Sequence, residues 1–264
     1  MSKDKENEAE IIREKAVRLH DREEKRFRQW YELLGVDQYS SEFAYGRKLI
    51  IRELEGVVKS VASGSTVLDI GSGTGHLMSW LAEKGLKVIG LEPSTAMRTT
   101  CKKLFPHLEV IEGYASNLPF RDGIFDAVVC VEVLRYLHPH DILNTYKEIF
   151  RVLKEGGIAF ITMVNRWAMD GYLLYYCWKR FIDPEYHYTY FTTAGKEIET
   201  LKKCGFKKVQ AAGVMYAFIR IFYKAGRRTG AFLTRLIEFI NREQRWEKEP
   251  WRSLAGSLIL IAQK

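Results

Sequence analysis

The 264-residue chain has only four cysteines and six prolines. None of its apolar runs approaches the roughly 18 residues that a membrane-spanning helix requires. Cys101, Cys130, Cys177 and Cys204 are scattered, with no C-x-x-C pair among them. That excludes a zinc knuckle or a dithiol redox motif and fits reduced thiols in a cytoplasm. The opening stretch, MSKDKENEAEIIREK, lacks the apolar core and cleavage site of a secretory leader, so a cytoplasmic protein is expected. Internal repeats and low-complexity linkers are also missing, which points to one domain with elaborations.

What is present is a basic balance, with a formal net charge of +8. The excess is uneven. Residues 1–30 hold nine Lys/Arg against eight Asp/Glu, the mixture of a solvated helix, whereas residues 220–252 hold nine against four among bulky apolar side chains. A nucleic-acid partner is therefore not expected from charge alone, and the surplus calls for a local explanation.

Hydrophobic periodicity predicts a mostly charged helix over residues 1 to about 34 and a second from about Ser41 to Val61. Strand and helix patterns then alternate. TVLDIG, KVIGLEP, LEVIEG, FDAVVCVEV and IAFITMVN read as strands; HLMSWLAEKG, TAMRTTCKKLF and HDILNTYKEIFRVLKEGG read as the helices between them, the last stopping at Gly156-Gly157. Apolar strands alternating with helices imply a parallel sheet covered on both faces.

The stretch VLDIGSGTGHL follows the first strand and places Gly71, Gly73 and Gly75 beside Asp69. Glycines in a strand-to-helix turn permit positive φ and close approach of backbone to a ligand. Dinucleotide-binding turns read G-x-G-x-x-G, but His76 stands where their third glycine would fall. A carboxylate two residues before the first glycine opposes phosphate and suits an ammonium or hydroxyls. Glu92 ends the next strand, where a carboxylate accepts from ribose hydroxyls. The implied ligand has a ribose and a cationic part but no phosphate.

Several segments, in order, resemble the class I S-adenosylmethionine-dependent methyltransferases: LDIGSGTG, GLEPS, GYASNLPF, FDAVVCVEVLRYL, EIFRVLKEGGIAFITM and FTTAGKEIETLKKCGFKKV. The resemblance runs from about Thr66 to Gly213. It implies an α/β fold with a doubly wound, seven-stranded, mostly parallel sheet, helices on both faces, and SLILIAQ as an antiparallel last strand between the fifth and sixth. The expected organisation is a single domain. It comprises a helical N-terminal extension (1–60), a cofactor-binding core (66–163), a substrate lid (164–192), and a late part (193–264) with a helical insertion at 214–255.

The cofactor implied is S-adenosyl-L-methionine, with S-adenosyl-L-homocysteine as product. By that resemblance Asp69 orients the glycine loop and the cofactor's amino group. Gly71, Ser72, Gly73 and Gly75 bring backbone to the methionine part, and Glu92 and Pro93 border the ribose. Tyr114, Ala115 and Ser116 border the adenine, while Val131 lies beneath the methyl donor. Family members often carry Asp where this chain has Tyr114, so Ser116 or a backbone carbonyl would take over at the adenine amino group.

A base is needed only where the acceptor is a hydroxyl, phenol or acidic carbon. DPEYHYTYFTT contains His187 among tyrosines, and this short segment resembles the O-methyltransferases of ubiquinone biosynthesis. His138 is the second candidate base. His138 and His140 flank Pro139 without a third ligand, and no metal is expected. WAMDGYLLYYCWKRF reads as lid packing or as a wall for a flat, hydrophobic acceptor. Residues 227–245 form a basic amphipathic stretch, which fits either packing on the domain or peripheral contact with an anionic membrane. Three readings follow: a methyltransferase on a hydrophobic or aromatic small molecule such as a quinone precursor, lipid or aromatic metabolite; an RNA or protein methyltransferase; or a non-catalytic binding protein. The absence of an appended RNA-binding module favours the first. Nothing in the sequence fixes the oligomeric state.

Overall fold

The computed structural model describes residues 3–168, 172–215, 219–240 and 251–264. In chain order the elements are α1 (Lys3–Val36), α2 (Glu42–Ser60), β1 (Thr66–Ile70), α3 (His76–Glu83), β2 (Lys87–Leu91), α4 (Thr95–Leu104), β3 (Glu109–Ile111), β4 (Phe125–Cys130), α5 (Pro139–Val152), β5 (Leu153–Asn165), α6 (Tyr172–Ile182), β6 (Phe191–Thr192), α7 (Ala194–Lys203), β7 (Lys208–Val214), α8 (Ile219–Lys224), α9 (Arg227–Ile240) and β8 (Ser257–Gln263).

The strands form one sheet in the order β3-β2-β1-β4-β5-β8-β7, which is the seven-stranded arrangement expected from the sequence. β8 runs antiparallel between β5 and β7. A two-residue eighth strand, β6, pairs with the end of β5. The alternation within β1 shows why the sheet is covered on both sides. Val67 joins a cluster with Leu49, Leu54 and Val57 of α2 and Leu81 of α3, while Leu68 joins one with Ile142, Tyr146 and Ile149 of α5. Successive strand side chains point to opposite faces, so each strand feeds two cores.

One boundary differs from expectation. The helix read as running to Gly156-Gly157 ends at Val152, and Leu153 already pairs with Phe125. The register shifts between Phe125 and Ala127, and Gly156 takes φ 77°, so the glycines shape an irregular strand entry instead of capping a helix.

α1 departs from the picture of a solvated extension. It packs on α2, α4 and α5. Asp21 accepts from Ser94 Oγ at 2.6 Å and from the Ala96 amide at 3.1 Å, and Glu24 accepts from Thr100 Oγ1 at 2.8 Å. These ties satisfy donors in the first turns of α4 and hold the long helix beside the carboxyl ends of the strands. On the other side, α9 packs inward through Gly230, Thr234 and Ile237, and Glu238 accepts from Lys48 of α2 at 2.8 Å. Asn241, Arg242 and Arg245 of the basic stretch lie outside the described residues.

Candidate active site

Three glycines shape the turn between β1 and α3. Gly71, Gly73 and Gly75 have φ of 70°, 55° and 86°, in the region open mainly to glycine. Their surroundings differ. A Cβ on Gly71 would come within 2.2 Å of Val133 Cγ2, whereas one on Gly73 would meet nothing within 4 Å. Gly71 is thus required by internal packing, and Gly73 leaves open space beside the turn.

Two carboxyls face this turn. Glu92 accepts from the Gly73 amide at 2.9 Å and from the Ser94 amide at 2.8 Å. Burial nonetheless raises its pKa, against the two amides and the positive fields of His20 and Arg98. Asp69 is 2% exposed, and its Oδ2 has no hydrogen-bond partner. Burial pushes its pKa up to about 8; nearby Arg47 opposes the shift and Glu92 adds to it. A buried acid with an orphan oxygen favours a cationic, hydrogen-bonding ligand. Together with the open side of Gly73, this fits the ammonium and backbone-facing parts of S-adenosylmethionine. Each Glu92 oxygen takes one of these amides and retains a second acceptor direction.

The other sequence-selected residues occupy distinct positions. Ser72 is buried in the turn with its Oγ unpartnered. The Pro93 carbonyl accepts from Arg98 at 2.7 Å. Ala115 is in the core, and Ser116 lines a cavity of about 230 Å³ with Glu6, Arg13, Asn117 and Asp141. Tyr114 is 40% exposed, with the Arg13 guanidinium 5.1 Å from its ring centroid. Val131 is buried directly after β4. His138 is the N-cap of α5: its Nδ1 accepts from the His140 amide at 3.2 Å, and its Nε2 lies 3.9 Å from Glu8. Nδ1 is thus committed to the cap, and His138 holds the start of α5.

His187 lies in an aromatic enclosure, with ring centroids 4.0 Å from Tyr186 and 5.8 Å from Tyr136. Burial and the positive fields of Arg135 and His20 push its pKa down to about 4, so the ring is neutral at pH 7. Arg135 donates to Glu132 Oε2 at 2.9 Å and to the Tyr172 hydroxyl of α6. Glu132 holds φ 62°, an uncommon conformation for a non-glycine residue, at the carboxyl end of β4. This strained turn carries Arg135 and Tyr136 toward the lid, where Tyr172 and Tyr176 pack against Phe191.

Four residues on α1 and α2 join the site without any signal in the local sequence pattern. Tyr31 stacks on His76 and accepts from Arg47, itself buried near Asp69. His20 packs edge-on against Tyr136, with ring centroids 4.9 Å apart, and lies within electrostatic reach of both Glu92 and His187. Asp21 ties the same helix to Ser94, two residues beyond Glu92.

The comparisons with known proteins bear on the family and the fold. Residues 68–161 match the family described as methyltransferase domain. The chain belongs to the class I S-adenosylmethionine-dependent methyltransferases, and S-adenosylmethionine is its cofactor. It is 32% identical over 195 residues to a demethylmenaquinone methyltransferase of Chlorobaculum tepidum, covering 67% of this chain and 77% of that protein. A relative of the same description from Beutenbergia cavernae is 33% identical over 123 residues, covering 46% of this chain and 50% of that protein. Among solved structures, a Thermotoga maritima S-adenosylmethionine-dependent methyltransferase, described as a possible histamine N-methyltransferase, superimposes with a TM-score of 0.58 at 20% identity. It covers 92% of this chain and 97% of its own. At that identity the likeness speaks for the fold.

Proposed function

We propose that this methyltransferase acts on a hydrophobic, aromatic small molecule of the quinone-precursor type. The observation that carries the reading is an aromatic cluster in which Tyr136, Tyr176 and Tyr186 pack against a neutral His187, and Tyr172 and Tyr176 pack on Phe191. Flat apolar walls with a few polar groups hold an aromatic ring and exclude water. The demethylmenaquinone methyltransferase relatives support the same class of acceptor.

S-adenosylmethionine, when bound, supplies a methyl group on a sulfonium and leaves as S-adenosylhomocysteine. Asp69, which ionises against a bound ammonium, and the Arg47 guanidinium face its amino and carboxylate groups, and Glu92 and Pro93 border its ribose. Gly71, Ser72, Gly73 and Gly75 form the wall of the turn. Tyr114, Ala115 and Ser116 stand on the adenine side, and Val131 at the end of β4. His187, neutral at pH 7, takes the proton that a phenolic or hydroquinone acceptor loses as its oxygen or ring carbon becomes nucleophilic. Alignment and water exclusion supply the rest, since a sulfonium needs no further activation as a leaving group.

The test is incubation with methyl-labelled S-adenosylmethionine and a panel of hydroquinones, catechols, imidazole amines and short RNAs. Label is expected in the hydroquinone or catechol fraction. Label confined to RNA or to the amine would overturn the acceptor class while leaving the methyltransferase assignment in place.

A further inference from the structure

Two helices, α6 and α9, repeat one outward pattern. On α6 it is Leu174, Trp178, Phe181 and Ile182; on α9 it is Phe232, Leu236, Phe239 and Ile240. All eight are between 45% and 88% exposed. Both sets fall at i, i+4, i+7 and i+8, which is one face of a helix. The opposite faces are already used. Tyr172 and Tyr176 of α6 pack on Phe191, and Gly230 and Thr234 of α9 are buried. α8 links the two helices: it packs along α9, and its Lys224 Nζ sits 4.7 Å from the Tyr175 ring centroid of α6.

Charge identifies what such a face would meet. The sequences of α6, α8 and α9 contain seven Lys/Arg and one acidic residue. That acid, Glu238, is turned inward to Lys48. Exposed Arg180, Lys224, Arg227, Arg228 and Arg235 therefore accompany the apolar stripes without carboxylates from the same helices. Two copies meeting through this face would bring like charges together. Basic side chains beside exposed Trp, Phe and Leu suit an interface of anionic headgroups over hydrocarbon.

We propose that α6 and α9 together form a docking face for an anionic lipid bilayer. The sequence pattern offers that contact for the 227–245 stretch, as an alternative to packing on the domain, and reads α6 as lid packing or a wall for the acceptor. In the structure α6 carries two faces: Tyr172 and Tyr176 pack on Phe191, while Leu174, Trp178, Phe181 and Ile182 stay exposed, and α8 links this helix to α9. A hydrophobic acceptor would then have its entry beside the bilayer. The docking proposal does not depend on which acceptor is methylated.

The experiment is flotation of the full chain with phosphatidylcholine vesicles and with vesicles containing about one-third phosphatidylglycerol. It is run at low salt and near 1 M salt, where the screening length falls to about 3 Å. Binding is expected to the anionic vesicles at low salt and to fall about tenfold at high salt. Trp178→Glu with Phe181→Glu, and separately Phe232→Glu with Leu236→Glu, should each weaken it about tenfold or more. Circular dichroism and Tm should stay unchanged, because the substituted side chains are exposed. Absence of flotation with anionic vesicles at low salt would overturn the proposal. So would an α6 pair that binds like wild type, or self-association in solution that these substitutions abolish while vesicles are ignored. Cofactor binding, measured without vesicles, separates each of these results from failure of the methyltransferase reading.

Discussion

The Gly73 amide donates to Glu92 Oε2 at 2.9 Å, so the turn after β1 and the end of β2 are joined by the carboxylate proposed to hold the ribose. Removing it should affect both. Glu92→Ala is expected to weaken S-adenosylmethionine binding by about 1.5–3 kcal/mol, the range for hydrogen bonds to a charged group. Calorimetry on the folded variant checks this. Affinity equal to wild type would remove Glu92 from the cofactor site.

Gly71 and Gly73 should separate folding from binding. Gly71→Ala meets Val133 at 2.2 Å and also carries the strain of positive φ, so a clear fall in Tm is expected. Gly73→Ala meets no neighbour and bears only the backbone cost of about 1–2 kcal/mol. Its fold should survive while its Cβ obstructs the cofactor. Thermal unfolding and calorimetry on the pair give the comparison, and loss of Tm in Gly73→Ala alone would contradict it.

Asp69 provides a proton to count. With a pKa near 8 it is protonated at pH 6 in the ligand-free protein, whereas a bound ammonium favours the carboxylate. Binding at pH 6 should therefore release protons, approaching one per site. Calorimetry in two buffers of different ionisation enthalpy reads the number, and Asp69→Asn should lower it. Without ligand, folding retains a proton that the unfolded chain sheds above about 3.8, so this group's contribution to stability declines as pH rises from there through 8.

His187 should titrate in kcat/KM near pH 4 and not near 6.5, leaving kcat/KM flat on its account from about pH 5 to 8. His187→Ala should lower kcat by about 10² on a phenolic acceptor, with cofactor affinity near wild type. An unchanged kcat would leave the ring as packing. Its effect on stability has the opposite pH sense to that of Asp69. Between 6.5 and about 4 the unfolded chain binds a proton that the folded one excludes, so stability falls as pH drops through that window.

Tyr31 tests the covering helix. Tyr31→Ala removes the stack on His76 and the hydroxyl that accepts from Arg47. Stacking of about 0.5–1.5 kcal/mol and the loss of a partner for a buried charge together predict about tenfold or greater weakening of S-adenosylmethionine binding. Wild-type affinity in a folded variant would place α1 outside the cofactor site.

The sequence by itself determined the sheet, because that information is local. Each strand and helix obeys its own short-range periodicity, and the turn containing Gly71, Gly73 and Gly75 lies close in sequence to the acids Asp69 and Glu92. The cofactor class followed from Asp69, the glycines and Glu92 for the same reason. Tertiary structure alone decided what covers them. The charges of α1 read as a solvated helix, yet Asp21 and Glu24 are spent on α4, and His20 and Tyr31 reach residues far along the chain. Helical periodicity gives the face of a residue but not its partner, so the contacts of Arg47 with Tyr31 and of Arg135 with Tyr172 could not be read from it. It also could not tell an outward apolar stripe from an inward one. α6 and α9 carry both kinds, and only the packing of Tyr172, Tyr176, Gly230 and Thr234 against the domain fixes which side Trp178 and Phe232 present to the outside.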